Sequence, residues 1–370
     1  MTTRRFVKLA LSSAIGLGAL SATASANPTL LFELNTGKVL AHEDAFKRWY
    51  PASLTKMMTA YVAFRAIEAG EAALDSPIRM TRNAAKQPPS KMGFKTGQIM
   101  RLDNALKMMM IKSANDVAMA IGENIGGTQA DFAARMNAEA ARLGMSGTHF
   151  VNPNGLFSPD QYTTARDMAL LVSAIRRDFP QYNDWYTIEG LLFGKTQIPN
   201  FNLLVGRYPG ADGMKTGFVC ESGFNLVGTA TRNGRTLAAV VFGETNGVTR
   251  AEAVAKLLDA GFATQGQGSA TIASLVPYGD MQTPTNLRPV ICKPADAASQ
   301  SEASTGPKNA QKSIYQQKLT NPRLVTVDLG GATGPVPKAM IGRVEYADVP
   351  VPGWRPDLPP PVFANASQGG

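Results

Sequence analysis

Ser53-Leu54-Thr55-Lys56-Met57-Met58-Thr59-Ala60-Tyr61-Val62-Ala63-Phe64-Arg65-Ala66-Ile67-Glu68-Ala69 is the stretch on which the fold turns. Leu54, Met57, Met58, Tyr61, Val62, Phe64 and Ile67 are spread round most of a helical circumference, and Gly70 closes the run. That spacing predicts a helix with almost no solvent face, which must sit in the middle of a domain. Working outward, Thr29 to Leu40 predicts a hairpin turning at Asn35-Thr36-Gly37. Leu102 to Ile125 predicts one or two more buried helices ended by Gly126-Gly127. Thr128 to Leu143 is an amphipathic helix with Thr128 as N-cap and Gly144 just past its end. Gly223 to Thr231 and Thr236 to Phe242 read as strands joined through Arg232-Asn233-Gly234-Arg235, and Asn-Gly between two such runs signals a tight hairpin. Arg250 to Ala260 then forms a helix ended by Gly261. The order of strand pair, helices, strand set and helix predicts an α+β fold, an antiparallel sheet packed against helices with a helical subdomain.

The ends of the chain read differently. Arg4, Arg5 and Lys8 precede an uncharged stretch from Leu9 to Thr23, and Ala24-Ser25-Ala26 is an A-x-A cleavage site. Residues 1–26 are therefore expected to be a secretory signal. Residues 27–265 are expected to fold as one domain. Residues 266–370 are expected to be a linker (Gln265-Gly266-Gln267-Gly268-Ser269) and a mostly irregular, low-complexity and Pro-rich tail, with short strand-like runs such as Leu324-Val325-Thr326-Val327. The tail offers no basic amphipathic helix. Membrane attachment stays open at this point, and a soluble periplasmic protein is the favoured expectation.

Composition removes several chemistries. The 370 residues include 2 His and 2 Cys, too few for a His-rich metal site or a four-Cys zinc module, and no cofactor is implied. In an oxidising compartment Cys220 and Cys292 can pair or remain separate thiols, and the sequence leaves both open. The formal charge of +9 loses three lysines and arginines and no acid with the signal, leaving +6. That suits an anionic partner in the cell envelope or simply a basic surface. No basic cluster interleaved with aromatics points to nucleic acid.

Three short motifs carry the chemistry. Ser53-x-x-Lys56 places a hydroxyl and an amine on one helical face, at the positive end of the helix dipole. That is the arrangement of an activated serine nucleophile. Ser113-Ala114-Asn115 sits inside an apolar helical region, where both polar side chains need partners. Lys215-Thr216-Gly217 opens the second sheet region with a fixed positive charge and a glycine that admits a close backbone. Alone, each has a structural explanation: an N-cap serine and a solvated lysine, a capping serine at a helix junction, a strand after a turn. Lys95-Thr96-Gly97 repeats the third set of letters, but in a loop where no strand is expected. In order and in these contexts, the three motifs point to serine acyl transfer without histidine.

The chain resembles the low-molecular-weight penicillin-binding proteins, serine-type D-alanyl-D-alanine carboxypeptidases with a serine β-lactamase/transpeptidase-like fold. The resemblance runs from residue 27 to about 262. It includes Tyr50-Pro51-Ala52 ahead of Ser53, Thr148-His149-Phe150-Val151-Asn152-Pro153-Asn154-Gly155-Leu156, Tyr162-Thr163-Thr164-Ala165-Arg166-Asp167, Tyr208-Pro209-Gly210 and Ser222-Gly223-Phe224-Asn225. It implies Ser53 as the acylated nucleophile, Lys56 as general base and Ser113 as proton relay. It implies that Asn115 holds the substrate amide, that the N–H groups of Ser53 and Phe218 form the oxyanion hole, and that Lys215, Thr216 and Gly217 receive the substrate. Arg250, 35 residues beyond Lys215, fits the arginine that anchors the terminal carboxylate in this family. The implied partners are a peptidoglycan stem peptide ending in D-Ala-D-Ala and β-lactam antibiotics. A D,D-endopeptidase and a non-catalytic peptidoglycan-binding scaffold are the alternatives; the intact motifs argue against the scaffold. A β-lactamase is disfavoured because Asp160 is the only acid between Gly144 and Ala165, where a water-activating glutamate would stand.

Overall fold

The computed structural model describes residues 27–264, 270–279, 281–292, 301–302 and 313–342. The expected signal at 1–26, the linker at 265–269, most of the low-complexity run and the Pro-rich end lie outside these residues. The elements run β1 (Thr29–Glu33), β2 (Val39–Glu43), α1 (Thr55–Glu68), β3 (Pro77–Arg79), α2 (Arg82–Ala85), β4 (Ile99–Arg101), α3 (Leu102–Ile111), α4 (Asn115–Gly126), α5 (Gln129–Arg142) and α6 (Ala165–Asp178). Then follow β5 (Gly190–Phe193), β6 (Thr196–Pro199), β7 (Ala211–Val219), β8 (Gly223–Arg232), β9 (Arg235–Glu244), α7 (Gly247–Ala263), α8 (Arg288–Ile291) and β10 (Leu324–Thr326).

The main sheet has five antiparallel strands in the order β2-β1-β9-β8-β7. Its first pair comes from the N-terminal hairpin and its other three strands from the region after residue 210. The β8–β9 turn puts Asn233 and Gly234 at φ +51 and +75, the left-handed pair that a two-residue hairpin requires. β8 is buried along its first eight residues because both faces of the sheet are covered. On one side α7 lays Ala251, Val254 and Leu258 against Leu226, Leu237, Ala239 and Val241. On the other side lies the larger core, built on α1 with α3, α4 and α6. The structure is thus the α+β arrangement expected from the sequence.

α1 has Met57, Met58, Ala60, Tyr61, Val62 and Ala63 all fully buried. It begins two residues later than the sequence predicts, because Ala52–Leu54 form a 3-10 turn that carries Ser53. The apolar stretch 102–125 divides into α3 and α4 at Ser113, whose φ is +61. α5 starts on Thr128, whose hydroxyl accepts from the Asp131 N–H, and Gly144 follows at φ +74. α7 is longer than its predicted span. Asn246 caps it four residues before the expected start, accepting from the N–H groups of Val248 and Thr249.

The residues after 264 that the structure describes are mostly irregular and lie on the domain. β10 pairs in parallel with β5, Val327 is fully buried, and Tyr315 packs against the α7 face. Cys292, next to α8, is disulfide-bonded to Cys220 at the end of β7, with the Cα atoms 5.5 Å apart. This settles the pairing that the sequence left open. No helix among the described residues is long and apolar enough to cross a membrane.

Candidate active site

The nucleophile turn is held by two glycines and a strained residue. Ala52 has φ +49, a conformation that costs a non-glycine residue ~1–3 kcal/mol and persists only where its surroundings impose it. From one side comes Gly155, φ +84. A Cβ there would lie 1.9 Å from Ala52 O and 3.0 Å from Ser53 N. From the other comes Gly217 of β7, whose Cβ would meet Pro51 O at 2.9 Å and Ser53 N at 3.1 Å. Asn225 on β8 ties the same turn down, donating from Nδ2 to Tyr50 O at 3.0 Å. The turn therefore sits between the 155 loop and the β7 edge with no room for a side chain on either.

Lys56 is fully buried, and its Nζ has three neighbours: Ser53 Oγ at 2.8 Å, Asn115 Oδ1 at 2.8 Å and Asn154 O at 2.5 Å. Burial, then the like charge of Lys215, push the amine well below 10.5, against the opposing pull of Glu302 and Asp116. The neighbours define the geometry of the neutral form. A neutral amine has two N–H bonds and one lone pair. The amide oxygen of Asn115 and the carbonyl of Asn154 can only accept, so they take both N–H bonds. The lone pair is left facing Ser53, whose O–H can donate to it.

Lys215 forms a second buried centre. Its Nζ donates to Ser113 Oγ at 3.0 Å and to Thr216 O at 2.9 Å. Burial lowers it to about 8; Glu302 opposes that shift and Arg250 adds to it. The left-handed backbone of Ser113 delivers the hydroxyl from the α3–α4 junction to this strand. Asn115 is bonded on both ends of its amide, since Nδ2 donates to Pro88 O at 3.0 Å while Oδ1 accepts from Lys56. Arg250 is buried behind β7, with its guanidinium 3.3 Å from Gly217 O and 5.5 Å from the Phe224 ring centre. Burial lowers it to about 10, offset in part by Glu302.

The structure thus gathers Ser53, Lys56, Ser113, Asn115, Lys215, Thr216 and Gly217 into one place. Phe218 joins Ser53, Asn115, Asn154, Phe157 and Glu302 in lining a cleft of about 760 Å³. Lys95-Thr96-Gly97 lies in the loop and turn just ahead of β4, not on a strand, and takes no part in the cleft. His149 Nδ1 lies 2.6 Å from Asp160 O and takes no part in the cleft. Sequence reasoning assigned no role to Asn154 or Gly155, although Asn-Gly marked their loop. It missed Glu302 altogether.

With the geometry in place, comparison with known proteins is direct. The sequence model of the Peptidase S11 family, D-alanyl-D-alanine carboxypeptidase, matches residues 17–246. The chain belongs to this family. The D-alanyl-D-alanine carboxypeptidase DacF of Bacillus subtilis is 33% identical over 241 residues, 64% of this chain and 62% of the relative. DacC of Escherichia coli is 36% identical over 240 residues, 63% of this chain and 60% of that protein. The chain therefore spans less than two thirds of the length of these two curated relatives. Among solved structures, the carboxypeptidase DacD of Francisella tularensis superposes with a TM-score of 0.63 at 30% identity, covering 69% of this chain and 74% of that one. Penicillin binding protein 5 of Haemophilus influenzae gives 0.62 at 34% identity, covering 65% and 71%.

Proposed function

We propose that this chain is a periplasmic serine D,D-carboxypeptidase. It removes the terminal D-Ala from a peptidoglycan stem peptide through an acyl-enzyme on Ser53. The observation that carries the reading is the Lys56 amine, buried and depressed, with both N–H bonds committed and its lone pair facing Ser53 Oγ at 2.8 Å. Family membership supplies the reaction class.

As Ser53 Oγ attacks the penultimate D-Ala carbonyl carbon, its proton passes to Lys56 Nζ. The carbonyl oxygen becomes an oxyanion facing the N–H groups of Ser53 and Phe218. Collapse breaks the C–N bond. The leaving amine takes the proton back from Lys56 by way of Ser113, and free D-Ala departs. Water then adds to the ester, one proton returns to Ser53 Oγ, and the shortened peptide leaves as a carboxylate. Lys215 and Thr216, with Arg250 behind them, hold the substrate's terminal carboxylate. A β-lactam acylates Ser53 in the same way, but its leaving amine stays attached to the ring-opened product. No carboxylate between Gly144 and Ala165 other than Asp160 is available to speed hydrolysis, so β-lactams act as lasting inhibitors.

The test is release of D-Ala from a peptide ending in D-Ala-D-Ala, wild type beside Ser53→Ala, with a cross-linked dimer of stem peptides as second substrate. Release from the monomer by wild type alone supports the reading. Cleavage of the dimer only would replace it with an endopeptidase. Folded wild type that cleaves neither, yet is acylated by penicillin, would leave a scaffold.

A further inference from the structure

One carboxylate already stands where the substrate's is expected. Glu302 is more than two hundred residues in sequence from the motifs at Ser53 and Lys56, yet its side chain is only 8% exposed and lies in the cleft. Its Oε1 accepts from Thr216 Oγ1 at 2.5 Å and lies 3.7 Å from Lys215 Nζ. Its backbone carbonyl accepts from Arg250 Nη2 at 3.4 Å. Burial pushes its carboxyl up, but Lys215, Arg250, the Thr216 hydroxyl and Lys56 together outweigh burial and keep it ionised.

These contacts are not those of a surface ion pair. Two neighbouring groups of β7, the buried Lys215 amine and the Thr216 hydroxyl, meet the carboxylate, and the buried Arg250 of α7 holds the backbone carbonyl behind it. A glutamate γ-carboxylate and a peptide α-carboxylate are the same planar, bidentate anion and make the same charge-assisted bonds. Two bodies cannot share one set of donors. On either side of Glu302 the chain is fixed to the domain: by the Cys220–Cys292 disulfide ten residues earlier and by the buried Tyr315 thirteen residues later. A carboxylate tethered in this way competes at an effective concentration far above that of a free one.

We propose that Glu302 is an intramolecular competitor for the carboxylate pocket formed by Lys215, Thr216 and Arg250, so that the enzyme restrains itself until substrate displaces it. The proposal rests on the reading of that pocket given above. It predicts that the site prefers ligands bearing a carboxylate and that the penalty falls on binding rather than on the acylation step.

Glu302→Gln keeps the shape and removes the charge. At each protein's own pH optimum, KM for D-Ala release should fall about tenfold with kcat nearly unchanged, the range expected for losing one charge-assisted competitor. The second-order rate of acylation by benzylpenicillin, whose carboxylate needs the same pocket, should rise by a similar factor. Glutarate should inhibit the variant more strongly than wild type. Unchanged KM and acylation, or a fall in kcat, would overturn the proposal; the fall would make Glu302 a group that assists the reaction. Glu302→Asp, one methylene shorter, serves if the Gln protein folds poorly, and an intermediate gain is expected from it. If wild type is acylated but releases no D-Ala, the carboxypeptidase reading fails, and the ratio of acylation rates still decides the role of Glu302.

Discussion

Replacing Gly155 with alanine tests how the nucleophile is positioned. Two separate costs are involved. Alanine at φ +84 occupies the left-handed region, which costs an L-residue ~1–2 kcal/mol. The added Cβ would also stand 1.9 Å from Ala52 O and 2.4 Å from Ala52 C, so the loop or the Ser53 turn must retreat by more than 1 Å. Overpacking of this kind costs ~1–3 kcal/mol. The sum, ~2–5 kcal/mol, corresponds to a fall in Tm of roughly 4–20 °C for a domain of this size. A displacement of about 1 Å at a reacting group costs on the order of 100-fold in rate. The control is Gly144→Ala, at φ +74 with nothing within 4 Å of its Cβ. It should show the backbone cost alone, with acylation unchanged. The assays are thermal unfolding and the rate of acylation by benzylpenicillin. If Gly155→Ala matched Gly144→Ala in Tm and wild type in acylation, the inference that the 155 loop presses on the Ser53 turn would be wrong.

Four further outcomes follow from the same structure. Lys215 must be charged to hold a carboxylate and sits at about 8, so kcat/KM should fall as pH rises through about 8. Because Glu302 raises Lys215, this alkaline limb should move to lower pH in Glu302→Gln; an unmoved limb would exclude Lys215 as its origin. The same depression makes the unfolded state bind more protons than the folded one between about 8 and ~10.4, so thermal stability attributable to Lys215 should rise with pH in that window. Replacing both Cys220 and Cys292 with alanine opens a loop of 72 residues, for which chain entropy gives about 4 kcal/mol of lost stability; no change on denaturant unfolding would contradict the disulfide. Leu258→Ala removes a fully buried side chain between α7 and the sheet and should cost ~2–5 kcal/mol, while the acylation rate of the remaining folded protein stays at the wild-type value.

How far the sequence could be read depended on the range of the interactions involved. The hairpins, the buried α1 and the caps at Thr128 and Gly144 were legible because periodicity, turn residues and capping side chains act over a few positions. The sequence places the start of α1 two residues early because Ala52 is held at positive φ by Gly155 and Gly217, contacts that no local pattern announces. α7 was read short because Asn246 caps it ahead of its apolar stripe. The motif residues could be grouped only through resemblance to a family, since spacing along the chain says nothing of distance between Ser53, Ser113 and Lys215. The Cys220–Cys292 bond and the placement of Glu302 were beyond reach, because no local pattern in a stretch so poor in apolar residues says where residues 292 and 302 meet the domain.

Acylation by this site requires a neutral Lys56 that accepts the Ser53 proton. The most direct test is the rate of Ser53 acylation by benzylpenicillin as a function of pH, wild type beside Lys56→Gln. An acid limb is predicted whose midpoint lies well below 10.5, together with a loss of ~10²–10⁴-fold and of the limb itself in Lys56→Gln. A midpoint near 10.5, or a Lys56→Gln protein that acylates at the wild-type rate, would contradict it.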